Sequence, residues 1–303
     1  MISPLNALNP KLLAGLACLL LSACASTEMV TGPDVQAHNS HAPDSSPSRP
    51  SDGSLRVMTL NMAHARGTGI NQMLQSSEKA RQNLDNIAVL LNQHSADIVS
   101  LQEVDYESSW NGNFDHVSFL AEKANFQHSV SGSHVNSMGL DYGTALVAKL
   151  SLADPESTVF TTSELSSPKG FVVSSINWPG KACIEVDVIS AHLDFASEQT
   201  RREQATEIIA SLKQRDRPVI LMGDFNTGWH RTTSAVRMLA AALNLHSYAP
   251  NDKSLVTFPK HARRLDWILV SDEIRFDSYQ VIQTVVSDHL GIVSDMSINR
   301  DCI

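Results

Sequence analysis

The feature that most constrains this chain is the stretch Pro218-Val219-Ile220-Leu221-Met222-Gly223-Asp224-Phe225-Asn226. Its apolar, β-branched run reads as a fully buried strand. Gly223 breaks the run, and a carboxylate and a carboxamide follow two positions apart. Alternate residues of an extended chain point to the same side, so Asp224 and Asn226 can face one cleft. A buried strand holds its end rigidly, and oxygen donors placed there suit a hard divalent cation or an activated water. The 303-residue chain is 42% hydrophobic, which is enough to bury such a strand in one large domain.

Other strands end in the same way. Residues 55–61 read as a first strand with Asn61 at its carboxyl end, and 97–103 as a second, ending in Gln102-Glu103. A strand over 182–190 runs out into His192 and Asp194. Asp266 lies in a strand over 265–270, and Asp288-His289 lead into a last strand over 291–298. Further strands are predicted at 126–130, 143–149, 171–177, near 255–258 and at 279–283. Trp178-Pro179-Gly180-Lys181 supplies a hairpin turn. Apolar residues at helical spacing predict helices over 78–94, 115–125, 198–214 and 233–243, with Ser197 as an N-cap. Strands with interspersed helices fit a layered α/β or α+β domain, and the hairpin argues against a purely parallel sheet.

The first 54 residues read differently. Lys11 precedes an apolar run over 12–23, too short to span a bilayer and suited to a signal peptide. Leu21-Ser22-Ala23-Cys24 matches the lipobox of bacterial lipoproteins, which implies cleavage before Cys24 and lipid on that residue; the rival is an ordinary signal cut after a small residue such as Ala25. Alanine after the modified cysteine favours the outer membrane in a Gram-negative host. Residues 24–54, rich in Ser, Pro, Asp and Ala and without apolar periodicity, read as a flexible tether. The folded domain is then 55–303. The formal net charge of −9 argues against a protein that coats nucleic acid electrostatically, though not against an enzyme that binds phosphodiesters through a metal. Cys183 and Cys302 can pair in an exported protein or stay free.

Six segments in order carry a resemblance: Thr59-Leu60-Asn61, Leu101-Gln102-Glu103-Val104, Ser190-Ala191-His192-Leu193, Gly223-Asp224-Phe225-Asn226, Arg264-Leu265-Asp266-Trp267-Ile268 and Ser287-Asp288-His289-Leu290. Together they resemble the endonuclease/exonuclease/phosphatase superfamily from about Arg56 to Ser294. That resemblance implies a four-layer α/β sandwich, two mixed β-sheets packed face to face with helices outside and the strand ends meeting in a cleft. It implies a monomeric metal-dependent phosphoester hydrolase using Mg²⁺ or Mn²⁺, with Glu103 as main metal ligand, Asn61 assisting, and Asp288 as a further ligand or a residue that orients one. Asp224 would take a proton from the attacking water and Asn226 would orient it. Asp266 would fix His289, which acts as base or as charge stabiliser, and His192 would contact phosphate. Two positions depart from the pattern: Ala191, where a threonine is more usual, and Gly291, where many relatives have proline. Neither removes a reactive group.

The substrate stays open among nucleic acid, phospholipid and small phosphodiesters, including sphingomyelinase- or inositol-phosphatase-like alternatives. No basic run interleaved with aromatics appears in the sequence. A catalytically silent envelope binding protein is the rival from another class; it would need a reactive group missing, and none is. A role in substrate contact stays open for His64 and His230, beside a structural one; Tyr142 reads as a core or loop residue or one at the cleft rim, Arg263 and Arg264 as phosphate contacts or a solvated basic pair, and Asp194 divides evenly between site and surface.

Overall fold

The computed structural model describes residues 35–39, 53–161 and 166–302. The expected signal segment 1–23 and Cys24 lie outside the described residues. In chain order the elements are β1 (Val35–Asn39), β2 (Leu55–Asn61), α1 (Ser77–His94), β3 (Ile98–Asp105), α2 (His116–Lys123), β4 (His128–Ser137), β5 (Leu140–Ala148), β6 (Ala153–Val159) and β7 (Gly170–Trp178). They continue with β8 (Lys181–His192), α3 (Glu198–Arg215), β9 (Val219–Asp224), α4 (Ala235–Ala242), β10 (Leu245–Ser247), β11 (Asp266–Ser271), β12 (Ile274–Phe276), β13 (Gln280–Val281) and β14 (Ile292–Ile298).

These strands form two sheets. One has the order β1-β4-β5-β3-β2-β14-β12, with β13 also on β14; the other runs β10-β11-β9-β8-β7-β6. Each sheet is mixed: β2–β3 and β8–β9 are parallel, whereas β2–β14 and β9–β11 are antiparallel. Strand alternation then builds the layers. Val57, Ile98 and Leu146 of the first sheet meet Val172, Val188 and Ile220 of the second in a central core. The opposite faces carry Met58, Leu60 and Leu101 against Leu84, Ile87 and Leu120 of α1 and α2, and Ile189, Leu221 and Leu269 against Ile208, Leu212 and Leu239 of α3 and α4. The result is the expected four-layer sandwich, with two buried faces for each central strand and hence apolar runs without alternation.

Capping sets the helix starts. Ser76 Oγ accepts from Lys79 N at the head of α1, and Ser197 Oγ from Thr200 N at the head of α3, as its position predicts. Trp178 and Lys181 pair across the predicted hairpin, with Gly180 at φ 72°.

Three local expectations need correction. The stretch read as tether contains a strand: β1 pairs antiparallel with β4, Val35 opposite Gly132. An edge strand of this kind is held by the backbone of its neighbour and needs no apolar period of its own. Residues 255–258 form no strand. Thr257 Oγ1 accepts from the backbone N–H of Leu265 and of Asp266, and a single bridge joins Phe258 to Arg263, so the segment is a folded loop. Residues 279–283 keep only the two-residue β13. Cys183 and Cys302 do pair, with Cα atoms 5.8 Å apart, tying the start of β8 to the end of the chain. Among the described residues no helix is long and apolar enough to cross a membrane.

Candidate active site

Register places the expected side chains together. In the second sheet His192 stands opposite Asp224, and Asp224 opposite Asp266. In the first, Asn61 pairs with Gln102. The sheets are joined beneath the cleft by buried polar groups: Gln102 Nε2 donates to Ser190 Oγ at 3.1 Å, and Ser190 Oγ donates to Leu101 O at 3.0 Å. Glu103 sits at a bulge, where the β3–β5 register shifts between Gln102 and Val104, and it has φ 52°. A bulge re-aims one side chain out of the pleat, which turns Glu103 toward the cleft. Asn226 also holds a left-handed conformation, φ 50°. Such values are uncommon away from glycine and persist where surrounding contacts impose them.

Asp224 is the hub. Its Oδ1 accepts from Asn226 N at 2.9 Å and its Oδ2 from Asn61 Nδ2 at 3.0 Å. The Nε2 atoms of His192 and His289 stand 3.6 and 3.7 Å from that same Oδ2. Burial pushes the Asp224 carboxyl up to about 7, with His289 opposing the rise and Asp266 adding to it. Burial works against charge on His289, but Asp266 and Asp224 outweigh it and raise the imidazole to about 10. His289 is therefore an imidazolium at neutral pH, donating from Nδ1 to Asp266 Oδ2 at 2.8 Å. His192 is the opposite case: burial and the Lys169 charge hold it well below the usual imidazole range, so it is neutral. Asn226 Nδ2 lies 3.3 Å from its Nε2 and 3.0 Å from Leu193 O. A carboxyl near neutrality between a cation and a neutral imidazole is suited to taking a proton.

Glu103 forms the other side of the cleft. His64 Nε2 is 3.5 Å and Arg66 Nη1 3.4 Å from its Oε2, and His192 Nε2 is 3.9 Å from its Oε1. Burial raises its pKa, but His64, Lys169 and Arg66 hold the carboxyl below the usual range. Arg66 Nη2 also reaches Asp288 Oδ2 at 2.5 Å, so one guanidinium bridges the two carboxylates. Two carboxylates and the Asn61 carboxamide are hard oxygen donors of the kind Mg²⁺ or Mn²⁺ takes, and they fit the metal that the sequence implies. Asp224, Asp266 and His289 bring ligand-type atoms within 4.8 Å of one another, but an imidazolium has no lone pair to offer, so with His289 charged they form a hydrogen-bonded cluster rather than an ion seat. Within it the buried Oδ1 of Asp266 has no hydrogen-bond partner.

The structure thus gathers Asn61, Glu103, His192, Asp224, Asn226, Asp266, Asp288 and His289 around one cleft. Asp194 does not join them. Its Oδ1 accepts from Ala196 N and Ser197 N, and Gln204 and Arg201 hold its backbone, so it shapes the turn into α3. Sequence reasoning left His64 open as a substrate contact and missed Arg66 and Lys169. His64 lies in a run of three left-handed residues, Ala63, His64 and Ala65 at φ 50°, 53° and 55°. Its Nδ1 is 2.8 Å from Asp105 Oδ1, and the rings of Trp110 and Tyr142 meet it edge-on. No spacing rule flags a left-handed triplet. Lys169 precedes β7 and is buried, and only the pairing of Gly170 with His192 brings it near the cleft.

A four-layer sandwich whose strand exits bring carboxylates, carboxamides and imidazoles into one cleft defines the class of protein. The chain belongs to the endonuclease/exonuclease/phosphatase family, whose model matches residues 58–289. Similar solved structures include the endonuclease/exonuclease/phosphatase from Beutenbergia cavernae (19% identity, 81% of this chain and 72% of that one, TM-score 0.61). The human Nocturnin catalytic domain with bound sulfate is similar at 18% identity over 88% of this chain and 98% of that one, TM-score 0.61. A mannosyl-6-phosphatase of Bacteroides thetaiotaomicron is similar at 18% identity over 80% of this chain and 100% of that one, TM-score 0.60. Identities this low show the fold. No curated protein sequence matches the chain.

Proposed function

We propose that this protein is a divalent-metal-dependent phosphoester hydrolase. The observation that carries the reading is the setting of Asp224: a buried carboxyl raised to about 7, held by Asn61 and Asn226, with the charged His289 beside it and Glu103 across the cleft. Glu103, Asn61 and Asp288 would hold the ion, which supplies positive charge to a phosphoryl oxygen. Asp224 takes the proton of the attacking water. Asn226 orients that water or a phosphoryl oxygen. The His289 imidazolium, kept charged by Asp266, meets the negative charge that develops on phosphorus oxygens. His192, neutral and hydrogen-bonded to Asn226, fixes the wall between Glu103 and Asp224. The family includes phosphatases and nucleases, so general phosphoester hydrolysis is supported at that level.

The test is cleavage of bis(p-nitrophenyl) phosphate, abolished by chelator and restored by Mg²⁺ or Mn²⁺. Chelator-insensitive cleavage, or full activity in His289→Ala, would sink the metal and imidazolium roles. A panel of DNA, RNA, sphingomyelin, phosphatidylinositol and inositol phosphates then assigns the substrate. Export and a lipid anchor at Cys24 belong to the same proposal, and the Cys183–Cys302 disulfide supports an oxidising compartment. Cys24→Ala should leave the membrane fraction; unchanged membrane association would refute lipid attachment at that residue.

A further inference from the structure

The loops that leave β9 and enter β11 meet in a separate pocket of about 180 Å³. It begins at Gly228, two residues past Asn226, and it is closed by Arg264 and Trp267, which flank Asp266 in sequence. Any molecule seated there touches the segments that carry three of the reactive groups.

The lining has two chemistries. One is aromatic: Trp229, half-buried, packs on Trp267 with ring centroids 5.7 Å apart. The other is cationic. Lys253 and Arg263 are exposed on the rim with His230, and Asp252 is the one acid among the lining residues. Arg264 lies buried beneath, its guanidinium 3.9 Å from the Trp267 ring. Its Nη atoms are held by Tyr248 O, Ala249 O and Tyr279 Oη, while its Nε has no hydrogen-bond partner. This excess of positive charge stands in a chain of net charge −9, so it is local and concentrates anions at one place. The volume is below that of pockets for drug-sized ligands, which suits one ring, with a phosphate held outside it on the exposed rim. A cationic rim beside an indole is the combination that binds a flat base and its phosphate; a bare sugar phosphate uses only the cations.

The geometry points to this pocket as a nucleotide subsite, with the base against Trp229 and the phosphate at Lys253 and Arg263. It rests on the phosphoester-hydrolase reading and narrows the substrate class to nucleotides or short oligonucleotides. The basic and aromatic residues come from 229–230 and 253–267, separated in the chain, which is why no basic run interleaved with aromatics appears in the sequence.

The experiment titrates the full chain with AMP and with ribose 5-phosphate in EDTA, reading tryptophan fluorescence. AMP should quench saturably and bind at least about tenfold more tightly than ribose 5-phosphate. The quench should vanish in Trp229→Leu. Affinity for AMP should fall by roughly tenfold or more in the exposed double variant Lys253→Glu/Arg263→Glu. Equal binding of the two ligands would make this a plain phosphate site and overturn the proposal. So would an AMP affinity unchanged in the double variant. If wild type cleaves no bis(p-nitrophenyl) phosphate with added metal, the hydrolase reading fails and the pocket loses its role as a substrate subsite; the binding titration is read independently of that result.

Discussion

At the scale of single residues, neighbouring charges sort the buried imidazoles. His289 has carboxylates on two sides and is held charged. Burial lowers His116 to about 4, and burial with the Lys169 charge lowers His134 to about 3. Both stay neutral in the folded protein, whereas an unfolded histidine takes a proton near 6.5. Their contribution to stability is therefore complete above pH 6.5 and is lost as pH falls toward 4 and then 3. Asp224 acts with the opposite sign: raised to about 7, it keeps its proton in the fold up to that pH while the unfolded residue ionises near 3.8, so its contribution weakens as pH rises between the two. A variant isolates one histidine from this sum. In His134→Gln, the slope of unfolding free energy against pH between 4 and 6 should drop by about 1.4 kcal/mol per pH unit relative to wild type. An unchanged slope, measured by urea denaturation at several pH values, would show that His134 is not held neutral.

At the scale of elements, the strand exits were legible and the loops were not. Residues 218–226 could be read because a strand buried on both faces is a continuous apolar run, and polar groups at its end then stand out. The same holds for β2, β3 and β11. β1, β6, β10 and β12 were missed because edge strands take their hydrogen bonds from a neighbour and leave little periodic trace. Residues 255–258 looked like a strand by composition, but Thr257 caps the entry to β11 instead. Arg66 and Lys169 carry no motif, and their role depends on which strands pair. One glycine was legible only as a break. Gly223 has φ 144°, and a Cβ there would lie 1.9 Å from Ala191 O on the neighbouring β8. A side chain would push β9 off β8 just below Asp224. Gly223→Ala should cost more than about 3 kcal/mol in urea denaturation; a loss below about 1 kcal/mol would mean that the two strands can part there without penalty.

At the scale of the whole molecule, two sheets must stay in register for the site to exist. The first supplies Asn61 and Glu103; the second supplies His192, Asp224 and Asp266; the segment before β14 adds Asp288 and His289. Two long-range ties help to hold the sandwich. Arg215 of α3 reaches back to Asp187 of β8 at 2.9 Å, and the disulfide closes a separation of 119 residues. Removing a disulfide that closes so long a loop should lower stability by about 2–5 kcal/mol. Cys183→Ser/Cys302→Ser should show that drop in denaturant, and wild type in reductant should match it; equal midpoints with and without reductant would contradict a stabilising bridge. The central claim is that Asp224 on one sheet and Glu103 on the other act as one catalytic unit. The most direct measurement is kcat/KM for bis(p-nitrophenyl) phosphate with Mn²⁺ in Asp224→Asn, Glu103→Gln and the double variant. Each single change should lower it by about 10²–10⁴-fold, and the double should fall no more than about threefold below the worse single, as residues of one unit do. Near-wild-type activity in Asp224→Asn, or losses that multiply in the double variant, would contradict it.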